Sequence, residues 1–221
     1  LPKRTRSEPD PSDPSTAPEI LQFKVWLLGI SPMIWRRVQV PASMKLRELH
    51  GVFQVAMGWE GVHLFQIMIR ARRFGSLELA ARSPEIPLSE LRLRLGARFR
   101  YEYDLTVPWK HEVHLESRYE ADRGKIYPLC LDGDGSCPPE DCGGVSGFLA
   151  RREAWTTPEA GYDFAVLANF VDQLTLKRMR IREALERLEV HQGWQGKPFS
   201  RKDVNARLRN DEYLDLMHQQ W

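Results

Sequence analysis

The sequence predicts an α+β fold, in which an antiparallel sheet of hairpins packs with helices and is followed by a helical C-terminal region. Two observations carry this. Apolar residues alternate with polar ones through the first half of the chain, and from about residue 160 onward they recur at helical spacing. Composition agrees: 42% hydrophobic and 28% charged residues in a chain of 221 supply the core of one generous domain and exclude wholesale disorder.

Residues 1–19 set Pro2, Pro9, Pro11, Pro14 and Pro18 among Ser, Asp and Glu. Little apolar surface is available there to offset the entropy of ordering, so a disordered Pro-rich tail is expected. Leu21, Phe23, Val25 and Leu27 then alternate with polar residues, Gly29 to Pro32 reads as a turn, and Ile34, Val38 and Val40 form a second apolar row. This pattern is a hairpin. Leu46, Leu49, Val52, Phe53, Ala56 and Met57 share one helical face, with Ser43 as the expected cap and Gly58 as the stop. His63, Phe65, Ile67 and Ile69 line one side of a strand. Phe99, Tyr101 and Tyr103, then Trp109, His111, Val113 and Leu115, give two more amphipathic strands joined by a short loop.

Helical spacing follows at Phe164, Leu167, Val171 and Leu174 and at Ile181, Ala184, Leu185 and Leu188. Ser200 with Asp203 writes a further helix start before Val204 and Leu208. The expected organisation is a tail at 1–19, an α+β body at 20–150 that includes a Cys-rich loop at 128–144, and a helical extension at 151–221 packed on the same body.

Lys plus Arg number 32 and Asp plus Glu 30, so a net charge of +2 gives no bulk argument for a nucleic-acid binder. The distribution is more informative. Residues 128–144 carry Asp132, Asp134, Glu140 and Asp141, no Lys or Arg, and all three cysteines, Cys130, Cys137 and Cys142. Such a segment repels phosphate but suits a cation. Thiolates favour Zn²⁺ in a tetrahedron, and a Cys3His site would take its fourth ligand from His111 or His63, with Asp141 as a local oxygen alternative. The intervals of six and four intervening residues are wider than a zinc knuckle. Buried thiols stabilising a compact loop in a reducing compartment are a second reading, and a disulfide is a third.

Arg92, Arg94, Arg98 and Arg100 recur at spacing two and would line one face of extended chain, with Arg70, Arg72 and Arg73 nearby. That row could hold nucleic-acid phosphates, although solvated strand faces have the same composition. Lys177, Arg178, Arg180 and Arg182 have the same two readings on a helix. His50, His63 and His111 fall on apolar faces, and Trp35, Trp59 and Trp109 are expected to fill the core. No Walker A loop, Rossmann glycine fingerprint or H-E-x-x-H is present, and Gly144-Val-Ser146-Gly147 is one residue short of a nucleophile elbow. Without a membrane-length apolar run or a secretory apolar stretch, the cytoplasm is the expected compartment.

Several short pieces then acquire meaning together. They are Pro32-Met-Ile-Trp35-Arg36-Arg37 with Val40-Pro41, Leu49-His50 with Gln54, Gly58-Trp59 with His63-Leu64, Tyr103-Asp104 with Trp109 and His111, and Cys130-Leu131 with Gly133. The most specific is Cys137-Pro-Pro-Glu-Asp-Cys142-Gly-Gly144. Over about Leu21 to Leu149 the chain resembles the Ri-plasmid ORF-3-like domain family, some of whose members travel with insertion sequences under the label TnpR resolvase. One departure is Leu105-Thr-Val-Pro108, where the family usually reads an aromatic, Gly and Asp. The resemblance implies an α+β fold and supplies no catalytic residues. The resolvase label is not matched by an activated serine among phosphate-neutralising arginines.

The expected function is a non-catalytic binding or accessory protein of plasmid or mobile-element origin, presenting a basic face to a nucleic acid or protein partner. Leu214, Met217 and Trp221 at helical spacing suggest docking or self-association as a homo-oligomer. The alternatives are a metal-dependent enzyme built on Cys130, Cys137, Cys142 and His111, and a purely structural or protein-interaction domain.

Overall fold

The computed structural model describes residues 17–76, 80–154, 171–172 and 196–216. The tail 1–16, Met217, Trp221, the basic run 177–182 and most of the helical run expected at 160–188 lie outside these residues; Val171 and Asp172 are helical.

Among the described residues seven strands form the sheet: β1 (Glu19–Leu27), β2 (Trp35–Pro41), β3 (Phe65–Ile69), β4 (Arg72–Gly75), β5 (Arg98–Tyr103), β6 (Trp109–Glu120) and β7 (Leu129–Asp134). Their spatial order is β4-β3-β5-β6-β1-β2-β7, and every neighbouring pair is antiparallel. The described helices are α1 (Leu46–Met57), α2 (Gly144–Ala154), α3 (Arg201–Arg209) and the short α4 (Glu212–Asp215). An antiparallel sheet with helices, some of them C-terminal, is the α+β architecture that the two periodicities predict.

Period-two burial fixes which side of each strand faces the core. Leu21, Phe23, Val25 and Leu27 of β1, Val38 and Val40 of β2, and Trp109, His111, Val113 and Leu115 of β6 are all buried. Ile34, Arg36, Val38 and Val40 share a face, so Trp35 is turned to the opposite one. This corrects the expectation that Trp35 fills the core: it is half-buried on the other sheet face, with the Lys24 ammonium 4.6 Å and the Arg37 guanidinium 5.1 Å from its ring centroid. In its place the core receives a charged residue, Arg36, which is 1% exposed.

Helix α1 begins after Lys45 and not at Ser43. The Glu48 carboxylate accepts from the Lys45 amide at 2.7 Å, which caps the first turn. At the other end Gly58 adopts φ 86°, and its amide donates to the Gln54 carbonyl at 2.8 Å, so the predicted stop is real. The segment read as a Cys-rich loop is a strand in its first half, since Cys130 and Asp132 lie in β7, opposite Val38 and Arg37. Strand β4 was not legible in the sequence, because it is four residues long with Phe74 as its one large apolar side chain.

The C-terminal helices lie on this body. Ser200 Oγ accepts from the Asp203 amide at 3.3 Å, as the capping pattern predicts, and Val204 and Leu208 are buried. Asn205 binds the backbone of Cys130 twice, accepting from its amide at 2.7 Å and donating to its carbonyl at 2.8 Å. Helix α4 crosses α1 at Gly51, where an added Cβ would stand 2.0 Å from the Tyr213 carbonyl oxygen. Gly51→Ala therefore sets a helix-propensity gain of about 1 kcal/mol against a backbone clash. The clash wins, because that oxygen has no rotamer into which to retreat. A net loss of about 2–3 kcal/mol is expected in urea denaturation, with faster amide exchange at Tyr213 and Leu214. A variant as stable as the parent would show that the crossing is looser than described.

Candidate functional site

The family-like pieces from Leu49 onward, scattered over about 95 positions as far as Gly144, meet in one region beside α1. Helix α1 supplies His50 and Gln54, and the turn after it supplies Trp59 and His63. Strand β5 supplies Tyr101 and Tyr103, and β6 supplies Trp109 and His111. Gln54 Nε2 donates to Tyr101 Oη at 2.6 Å, and Tyr101 Oη lies 2.8 Å from His50 Nδ1. Tyr101 Oη is thereby shared between the Gln54 carboxamide and the His50 ring. His50 stacks on Phe65 with centroids 3.9 Å apart, and His111 meets Trp59 edge-on at 5.5 Å.

The segment 137–142 docks on this cluster through backbone and carboxylate groups. Trp59 Nε1 donates to the Pro138 carbonyl at 2.9 Å, and Trp109 Nε1 donates to the Glu140 carbonyl at 3.0 Å. Each indole N–H thus finds the acceptor that a buried tryptophan requires. The Glu140 carboxylate accepts from Tyr103 Oη and, at 2.7 Å, from the Glu60 amide. His63 Nε2 is 2.7 Å from Asp141 Oδ1. In the loop that departs from the family pattern, Asp104 stands at φ 54° and its Oδ1 accepts from the Thr106 amide at 3.1 Å. A single carboxylate therefore organises the turn where the family usually has Gly and Asp.

Burial sets the protonation of this interior. His50 and His111 are both driven down to about 3 by desolvation. Both are neutral near pH 7 and too weakly basic to serve as a general base there. The carbonyls of Tyr101 and Trp109 lie close to the His111 ring and moderate its shift, but neither makes a well-aligned hydrogen bond to it. Tyr103 is pushed well above the usual phenol range, first by burial and then by its bond to Glu140. Cys130 is raised to about 11, and Cys137 and Cys142 are also raised, in each case chiefly by desolvation. These are protonated thiols that pack as small apolar groups.

The residues expected as ligands lie on different elements. Cys130 sits on β7 beside Asn205, Cys137 is covered by the backbone at Gly196, and Cys142 lies against Gly147 at the start of α2. His111 faces Trp59 and Tyr101. Among the described residues no three of His, Cys, Asp and Glu form a group that could hold a metal, and all three cysteines are free, so no disulfide joins them. Ser146 lies in the first turn of α2.

The arginine row is also divided. Arg98 and Arg100 share the outer face of β5, whereas Arg92 ends a 3-10 turn in a left-handed conformation at φ 46° and Arg94 is exposed in the loop beyond it. The expectation of four arginines on one extended face is corrected to two pairs in different settings. Sequence reasoning missed Arg36. Its Nε donates to the Ala56 carbonyl at 2.8 Å, Nη1 to those of Trp35 and Asp134 at 2.7 and 2.8 Å, and Nη2 to that of Gly135 at 3.0 Å. Phe199 covers the guanidinium at 4.4 Å. The signal was its place between Ile34 and Val38 in an apolar alternation.

Fold and site together define a class: an α+β module whose signature residues build an interior that clamps the cysteine segment to the end of a helix. The chain belongs to the plasmid pRiA4b ORF-3-like protein family, whose family model matches residues 19–172. It is 35% identical over 147 residues to the uncharacterized protein y4hQ of Sinorhizobium fredii, covering 63% of this chain and 74% of that protein. Among solved structures it is similar to a protein of unknown function, MM3350, from Methanosarcina mazei Go1. That likeness has a TM-score of 0.61 and 31% identity, covering 69% of this chain and 90% of the other. No helix among the described residues is long and apolar enough to cross a membrane.

Proposed function

We propose that this protein is a non-catalytic binding module that engages single-stranded nucleic acid on the outer face of its sheet. One arrangement carries this reading. Strand register places Arg98, His114, Lys24 and Arg37 side by side across β5, β6, β1 and β2, and Trp26 opposite Trp35 in the adjacent row. Arg98 lies 5.8 Å from the Trp26 ring, and Lys24 and Arg37 flank that of Trp35. Cations beside flat aromatic surfaces are what a single strand needs, with phosphates held by charge and bases by stacking.

Three carboxylates oppose this. Glu112 pairs with Arg98 at 2.8 Å, and Glu116 and Asp132 lie 2.6 and 4.0 Å from the Arg37 guanidinium. The Arg98 side chain is 60% exposed, so its pair contributes little and can yield to phosphate. Arg100 on the same face makes no ion pair among the described residues.

Fluorescence anisotropy of a labelled oligothymidylate tests the reading. Affinity should fall with salt, at about 0.7 logarithmic units per decade of salt for each phosphate contacted. Trp35→Ala should weaken binding about tenfold or more, the worth of one stacked base. Arg98→Glu with Arg100→Glu should abolish it at 0.15 M salt. A salt-independent affinity, or Trp35→Ala binding like the parent, refutes nucleic acid as the partner on this face.

A further inference from the structure

A second cationic feature lies at the opposite end of the sheet and owes nothing to the Trp26–Trp35 face. Strands β3 and β4 are joined by a tight turn in which Arg70 and Ala71 both take left-handed conformations, at φ 48° and 62°. Register sets Arg72 opposite Ile69 and Phe74 opposite Ile67, so Arg72 continues the apolar side of β4 beyond the end of the core. The returning chain brings Arg82 alongside, its amide donating to the Arg73 carbonyl at 2.9 Å and its carbonyl accepting from Gly75. The 3-10 turn Leu88–Leu91 ends at Arg92, whose carbonyl accepts from Arg70 Nη2 at 2.8 Å.

These segments enclose a cavity of about 310 Å³. Arg70, Arg72, Arg82 and Arg92 line it over the apolar side chains of Ile69, Phe74, Ile86 and Leu91, and Glu90 is the single carboxylate among the described residues of the lining. None of the four arginines makes an ion pair among the described residues. Like charges repel, and an anion seated among the four would relieve that repulsion. Guanidinium forks match the oxygens of a phosphate, and the apolar floor suits a flat organic group attached to it. The volume lies at the small end of the range for small-molecule sites, about 300–1,000 Å³.

We propose that this cavity binds a phosphomonoester of the nucleotide class, the phosphate gripped by Arg72, Arg82 and Arg92 and the ester group resting on the apolar floor. Arg70 is a positioning residue that holds the Arg92 backbone to the hairpin turn. The same chemistry occurs on a free nucleotide and on the phosphorylated end of a nucleic acid.

Isothermal titration of the full chain with inorganic phosphate, adenosine monophosphate, and 5′-phosphorylated and 5′-hydroxyl oligonucleotides tests the site. Adenosine monophosphate should bind about tenfold or more tightly than inorganic phosphate. Arg72→Ala and Arg82→Ala, both exposed and without packing roles, should each weaken it about ten- to hundredfold, the worth of a charge-assisted hydrogen bond. Arg72→Lys should fall between, because it keeps the charge and loses the fork. Arg123→Ala, in an exposed loop outside the lining of this cavity, should bind like the parent, and circular dichroism of each variant confirms folding. Preference for the 5′-phosphorylated oligonucleotide assigns the site to a nucleic-acid end, and tight adenosine monophosphate without that preference assigns it to a free nucleotide. Adenosine monophosphate binding no better than inorganic phosphate, or binding unchanged in Arg72→Ala and Arg82→Ala, overturns the proposal. Neither result bears on the sheet face, which Trp35→Ala probes alone.

Discussion

Acidification from pH 7 to pH 5 should cost the fold roughly 4 kcal/mol, about 2 from each of two buried histidines, on the linkage between burial and proton uptake. His50 and His111 have no exposed surface, and desolvation holds each at about 3 in the folded chain. In the unfolded chain each titrates near its ordinary value of about 6.5. Above that value both states are neutral and the full stability is present. As the pH falls through 6.5 the unfolded chain takes up two protons that the fold refuses, and stability drains away until the folded values near 3 are reached. Urea denaturation at pH 7, 6 and 5 measures the loss directly. His111→Phe should halve the dependence. It replaces a ring whose two nitrogens have no partner with one that needs none, so its stability at pH 7 should hold or rise. A parent protein whose unfolding midpoint is unchanged between pH 7 and pH 5 would show that both rings accept a proton in the fold.

Arg36→Met should remove about 3–5 kcal/mol, the range for losing a buried hydrogen-bonded charge, although methionine fills a similar volume. The guanidinium ties four carbonyls, from Trp35, Ala56, Asp134 and Gly135, that belong to the start of β2, the end of α1 and the end of β7. These acceptors point in different directions, so a single ammonium cannot satisfy them, and Arg36→Lys should recover only a minor part. Burial lowers the Arg36 pKa while Cys137, Cys130 and Asp134 act against that shift, so it remains a cation. Loosening this knot should also expose Cys130 and Cys137, which can be read as faster reaction with a thiol reagent in Arg36→Met than in the parent. An unfolding midpoint within error of the parent would remove Arg36 from the account of stability.

The sheet was legible in the sequence wherever one face is buried and the other wet. That condition holds for β1, β2, β3, β5 and β6, whose alternation the core reads back residue by residue. It fails for β7, where Gly133, Asp132 and Asp134 dilute the pattern and pairing with β2 does the work that composition does not advertise. The signature residues were recognisable, but their arrangement was not. Spacing along the chain did not show that Cys130 lies on β7 while Cys137 and Cys142 lie in the segment between β7 and α2. Likewise, spacing two in Arg92, Arg94, Arg98 and Arg100 implied continuous extension. A left-handed residue at Arg92 breaks it, and local sequence marks such a conformation only when glycine occupies it.

The double hydrogen bond between Asn205 and the Cys130 backbone has a consequence beyond holding a helix in place. Among the described residues β7 ends the sheet, and its outward amides and carbonyls would otherwise invite another chain to add itself as a further strand. A carboxamide offers the same donor and acceptor as a peptide group, so Asn205 fills that vacancy with a side chain that cannot propagate further, and Arg201 occupies the next carbonyl, that of Leu131. These side-chain bonds oppose strand addition at the β7 margin, and β4, at only four residues, offers little template at the other.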